Sequence, residues 1–144
     1  MTPIKLILFI SFFCAFSFLK AQNTDVYIMT GNAKENLGDL KGALEQYTLA
    51  LKDDSTSVMA YFNRALVKRK MNDYEGAIAD YTMAIKYKPK YDIAFNNRGI
   101  VYMLLGKKDE ACADWDVARN LDYPDAQKLY IDNCLKKSES IVKP

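Results

Sequence analysis

The chain has 144 residues, half of them apolar, with 20 basic against 18 acidic side chains and no histidine. That is one small domain with enough apolar content for a continuous core. The lack of histidine excludes a Ser-His-Asp or Cys-His catalytic arrangement and any zinc site that relies on imidazole. A near-neutral chain without a strong basic run gives no electrostatic footprint for nucleic acid.

Residues 1–21 read as a secretory signal peptide: Lys5 supplies the positive start, Ile7 to Leu19 the apolar run, and Ala21 the small residue at the cleavage point. The rival reading is an uncleaved membrane anchor. An anchor needs about 20 apolar residues, and this run is shorter and interrupted by Ser11 and Ser17. Acylation at Cys14 is disfavoured, because Ser11-Phe12-Phe13 precedes it where a lipoprotein has a small residue next to the cysteine. Cleavage removes Lys5 and Lys20 and leaves 18 basic against 18 acidic residues. The expected location is exported, periplasmic or secreted; a retained leader would be the chain's one link to a membrane.

Three units follow, over residues 24–57, 58–91 and 92–125. The first turns at Gly38-Asp39 and ends in the connector Asp53-Asp54-Ser55-Thr56-Ser57. The second is the clearest. Ala60, Tyr61, Arg64, Ala65 and Lys68 lie three and four apart, which predicts one stripe of a helix. Asn72-Asp73-Tyr74-Glu75-Gly76 interrupts it, with an Asp suited to capping the next helix. Ala77, Ile78, Tyr81, Ala84 and Ile85 form a second stripe, and Pro89 stops it. The third unit turns at Gly106-Lys107. Residues 126–137 predict a capping helix, with Ala126, Leu129, Tyr130, Asn133 and Cys134 on one stripe, and 138–144 a frayed tail.

Candidate chemistry is sparse. Asp114 and Asp116 flank Trp115, and two residues apart on a helix they diverge, so they read as surface charge. Lys68-Arg69-Lys70 reads as a solvated helix end, with cations at the C-terminus of the dipole. The glycines are scattered singly and make no phosphate loop. Neither an enzyme nor a cofactor, metal or small-molecule substrate is expected. Cys112 and Cys134 lie eleven residues to either side of Tyr123, so two antiparallel helices turning there would bring them opposite each other. Export favours a disulfide; the alternative is two buried thiols packing as small apolar groups.

The units repeat every 34 residues: Tyr27, Tyr61 and Phe95; Gly31, Ala65 and Gly99; Ala43, Ala77 and Ala111; Tyr47, Tyr81 and Trp115; Ala50, Ala84 and Ala118. A fixed period of this size marks a stacked repeat architecture. The pattern resembles the tetratricopeptide repeat (TPR) family, over residues 24–125. Tyr27-x-x-Thr30-Gly31, Tyr61-x-x-Arg64-Ala65 and Phe95-x-x-Arg98-Gly99 answer its first element; Ala43 with Tyr47, Ala77 with Tyr81 and Ala111 with Trp115 answer its second. Lys34 and Lys68 replace the family's usual tyrosine, which survives as Tyr102. The resemblance implies an all-α, right-handed solenoid of three helix-turn-helix repeats plus a C-terminal capping helix. The leader's Ala21-Gln22 end is similar to that of exported proteins of the Bacteroidota.

In that family the first helix of each pair lines a concave groove for partner peptides. Carried across, the groove positions are Asp25, Ile28, Asn32 and Glu35, then Met59, Phe62, Asn63, Leu66 and Arg69, then Ile93, Asn96, Asn97, Ile100 and Met103. One subfamily grips the C-terminal carboxylates of cytosolic chaperones with two asparagines and three basic residues. Asn32 and Asn63 match the asparagines, but Ile28, Ile93 and Asn97 stand at the basic positions, so that function is not expected. Two expectations remain: an adaptor of the bacterial cell envelope that binds a partner protein segment in the groove, or a structural module that self-associates through the same apolar residues.

Overall fold

The computed structural model describes residues 23–135, and these fold as helices joined by short turns, with no strand among them. Residues 23–36 are helical (α1). Then follow α2 (Leu40–Asp53), α3 (Val58–Lys70), α4 (Tyr74–Tyr87), α5 (Asp92–Leu104), α6 (Lys108–Asn120) and α7 (Pro124–Tyr130), the last running into a π-helical turn at Ile131–Leu135. The expected leader, Cys14, Lys136-Lys137 and the tail lie outside the described residues.

Local chemistry fixes the boundaries. Asp39 caps α2 by accepting from the Gly42 amide at 2.8 Å, and Asp73 caps α4 in the same way from Gly76 at 3.0 Å. Lys107 has no capping side chain, and α6 instead carries Asp109 and Glu110 in its first turn, where acids favour the helix dipole. Each turn within a pair passes through a left-handed residue: Gly38 (φ 80°), Asn72 (φ 63°) and Gly106 (φ 73°). This lets the next amide return to the last turn of the preceding helix, as Asp73 does to Lys68 and Lys107 to Tyr102, both at 2.9 Å.

The 34-residue stripe is the core. Ala43, Tyr47 and Ala50 on α2, Ala77, Tyr81 and Ala84 on α4, and Ala111, Trp115 and Ala118 on α6 are all buried. The first helices answer with small residues. A Cβ at Gly31 would sit 2.5 Å from Cε1 of Tyr47, and one at Gly99 would sit 2.7 Å from Nε1 of Trp115, so the rings lie directly on backbone.

Two struts tie the stack together, and they correct the reading of Asp114 as surface charge. The Arg98 guanidinium forks onto Asp114 at 2.8 and 2.7 Å, and Asp114 is only 5% exposed. Arg98 also donates to Thr82 on α4 at 2.9 Å, so one side chain joins α5, α6 and α4. One repeat earlier, Arg64 forks onto buried Asp80 at 2.8 and 2.7 Å and reaches Thr48 on α2. A carboxylate leaves water here because a bidentate arginine meets both its oxygens. Asp116 stays near the surface and pairs with Arg119 on its own helix.

The cap, described as far as Leu135, is helical but not regular α-helix throughout. It begins at Pro124, because proline fits the first helical turn where its missing amide proton costs nothing, and it loosens after Tyr130 into the π turn. That turn brings Cys134 against Cys112 of α6, with Cα atoms 5.8 Å apart, inside the range a disulfide needs.

Candidate functional site

Helices α1, α3 and α5 are the first members of the three pairs and form one row, cross-linked by side chains. Asn63 on α3 donates to Asn32 on α1 at 3.0 Å, and Lys70 on α3 pairs with Glu35 on α1 at 2.7 Å. Three junctions, where an aromatic from the second helix of a pair reaches this row, differ in what they offer.

At the first, the Tyr47 hydroxyl lies 2.7 Å from Asn32 Oδ1 and 3.1 Å from Glu35 Oε2, so two acceptors face one proton. Burial, and then the Glu35 charge, pushes this hydroxyl above its ordinary pKa. At the second, Leu66 and Arg69 stand where the 34-residue period places Asn32 and Glu35 in the first. The Tyr81 hydroxyl is fully buried and has no hydrogen-bond partner among the described residues, and Arg69 Nε, also buried, has none either. Burial again raises the Tyr81 pKa; the Arg69 charge opposes the shift and the Glu35 charge adds to it. At the third, Trp115 donates to the Asn96 backbone carbonyl at 3.3 Å, and the buried Asn96 Oδ1 is left without a donor.

The expected groove residues divide on these grounds. Met59 is 53% exposed, and Asn63, Leu66, Arg69, Ile93 and Ile100 are half-buried along the row. Asn32 is exposed, but its carbonyl oxygen is engaged by Tyr47 and Asn63. Phe62 is not a free anchor. It is 8% exposed and packs its ring 5.7 Å from Tyr81 and 5.2 Å from Tyr91, centroid to centroid, within the core between repeats. Asn96 and Asn97 are buried too, and Asn97 gives its amide to the Ile93 carbonyl one turn back at 2.8 Å. Two residues of the row were missed by sequence reasoning: Met29, 70% exposed, and Leu104, 55% exposed. For Met29 the period held the signal, since it stands 34 residues before Asn63; Leu104 stands 34 after Lys70, which was read as a solvated helix end.

Lys68-Arg69-Lys70 is also more than a solvated helix end. Lys68 reaches buried Asp80 at 2.8 Å, Lys70 holds Glu35, and Arg69 makes no ion pair among the described residues. Among the described residues no cluster of acidic or cysteine side chains is arranged to hold a metal, and no helix is long and apolar enough to cross a membrane.

A family model described as TPR repeat matches residues 66–106. Among solved structures, the second TPR of Spaghetti (RPAP3) bound to the HSP90 peptide SRMEEVD is 32% identical, with 69% of this chain and 93% of that one covered and a TM-score of 0.67. The second TPR domain of human RPAP3, in complex with the HSP70 peptide SGPTIEEVD, is 28% identical over 76% of this chain and 96% of that one, at a TM-score of 0.69. The Arabidopsis OM64 TPR domain is 26% identical over 75% and 91% of the two chains, at a TM-score of 0.72. Among curated proteins none matches the chain.

Proposed function

The chain belongs to the tetratricopeptide repeat family, and from that premise we propose that it is a non-catalytic interaction module, an adaptor of the bacterial cell envelope that captures a segment of a partner protein on the α1–α3–α5 row. The observation that carries this reading is the row itself. Its three helices expose Met29, Met59 and Leu104, one on each, and similar domains are solved with peptides bound. The chaperone peptides of those relatives are not carried over. The positions matching the family's basic clamp are Ile28, Ile93 and Asn97, of which Ile28 is buried and Asn97 bonds its own helix.

Export rests on the Lys5, apolar-run and Ala21 pattern of the first 21 residues. A Cys112–Cys134 disulfide fits an oxidising compartment, where it would pin the cap to the last repeat. Self-association through the same methionines is the rival reading; the mass of the purified protein in solution separates the two, a monomer favouring the adaptor.

The binding test is affinity capture from envelope extract with wild type and a Met29→Asp, Met59→Asp double variant. Both side chains are exposed, so the fold should survive. Burying an apolar side chain is worth about 1.5–3 kcal/mol, so partner yield should fall at least tenfold. Undiminished capture by the folded variant would move the binding surface elsewhere.

A further inference from the structure

The second junction of the row lacks one thing that the first possesses. At the first, a buried tyrosine hydroxyl meets a carboxylate, Glu35, and a carbonyl oxygen, Asn32. At the second, the same tyrosine, Tyr81, meets Leu66 and Arg69, and the exchange turns two acceptors into none while adding a donor. Two buried donors, the Tyr81 O–H and the Arg69 Nε–H, are therefore left unmatched among the described residues, and the Arg69 charge acts on the Tyr81 hydroxyl, at the repeat positions where the preceding unit supplies a carboxylate. A buried donor left unmade is costly. A charge-assisted bond from arginine and a hydroxyl to one carboxylate is the strongest way to satisfy both.

We infer that this junction is a carboxylate-accepting subsite, and that the occupant is an aspartate or glutamate side chain of the bound segment, taking the place that Glu35 fills in the first repeat. The inference rests on the proposal that the row binds a partner segment, and it adds the chemistry by which one residue of that segment is chosen. The subsite differs in position from the family's basic clamp, whose counterparts here are uncharged. Charge complementarity favours the acid: Lys68 and Lys70, on either side of Arg69, are spent on Asp80 and Glu35, so Arg69 is the cation of that run left to receive one.

Selection from a random peptide library fused to its display coat through the peptide C-terminus tests this, because every acid recovered is then internal. Wild-type protein should select sequences with a recurring Asp or Glu, and Arg69→Gln should lose that preference. A synthetic, C-terminally amidated version of a selected peptide should weaken roughly tenfold to a hundredfold when its acid becomes the amide, and Tyr81→Phe should weaken the acidic peptide several-fold. Recovered peptides with no recurring acid, or an acid preference that survives Arg69→Gln, would overturn the subsite and leave the binding row standing. No recovery of any peptide would overturn both. Restoration of the amide peptide's affinity by freeing its C-terminus would assign the site to a chain end and overturn the side-chain assignment. A graft of the first junction onto the second, Leu66→Asn with Arg69→Glu, supplies the acceptor from within. It should melt no lower than wild type and select no acid; a clear fall in its melting temperature would contradict the claim that the junction wants only an acceptor.

Discussion

Two tyrosines at equivalent positions stand in opposite circumstances, and a single oxygen atom on each distinguishes them. Tyr47→Phe removes a hydroxyl engaged by Asn32 and Glu35 and should destabilise by about 1 kcal/mol. Tyr81→Phe removes a buried hydroxyl that has no partner, and should leave stability unchanged or raise it. Urea unfolding of the two variants beside wild type checks the contrast; equal losses would mean that the Tyr81 hydroxyl has a partner after all. Phe62→Ala opens the core against Tyr81 and Tyr91 and should cost roughly 3 kcal/mol or more. The aromatic, alanine and glycine positions of the core were legible because a period of 34 residues repeats them. The direction of Phe62 was not: a residue at the border between groove and core reads the same in a list of positions, and the rings of two other elements decide which side it takes. Asn32 was likewise found as a groove position, while its engagement by Tyr47 depends on the neighbouring helix.

At the scale of elements, the helix boundaries followed from Asp39, Asp73 and the left-handed Gly38, Asn72 and Gly106, all of them short-range signals. The Arg–Asp struts did not, because a pair sixteen residues apart on two helices has no local signature. Asp114→Ala leaves the largely buried Arg98 charge without its carboxylate and should destabilise by about 3 kcal/mol. Adding Arg98→Leu should recover part of that loss, since the uncompensated charge goes with it. Thermal melts of the single and double variants decide the matter, and a double variant less stable than Asp114→Ala would contradict a strut whose charges matter chiefly to each other. Asp39 adds a pH dependence. Its bond from the Gly42 amide, and then Lys34, holds the carboxyl below the usual carboxylate range, so its contribution is present above that range and lost as pH falls through the lowered value. The cap's π turn was beyond sequence reasoning too, since its stripe of Ala126, Leu129, Tyr130 and Asn133 fits an ordinary helix equally well.

Over the whole molecule, the stacked pairs expose side chains of α1, α3 and α5 along one row while both rows bury small and aromatic residues in the core, and it is that row to which we assign the partner. The cap closes the far end of the stack, and a Cys112–Cys134 bond closing 22 residues should stabilise by about 3 kcal/mol in the chain-entropy model. Thiol labelling of the denatured, unreduced protein should then find neither cysteine reactive. The central claim is that partners sit on the α1–α3–α5 row, and site-specific photo-crosslinking tests it most directly. A photoreactive residue at Met59 on α3 or Met29 on α1 should trap a discrete partner in envelope extract, while the same group at exposed Leu49 on α2 should trap none. Equal trapping from position 49, or none from 29 and 59, would contradict it.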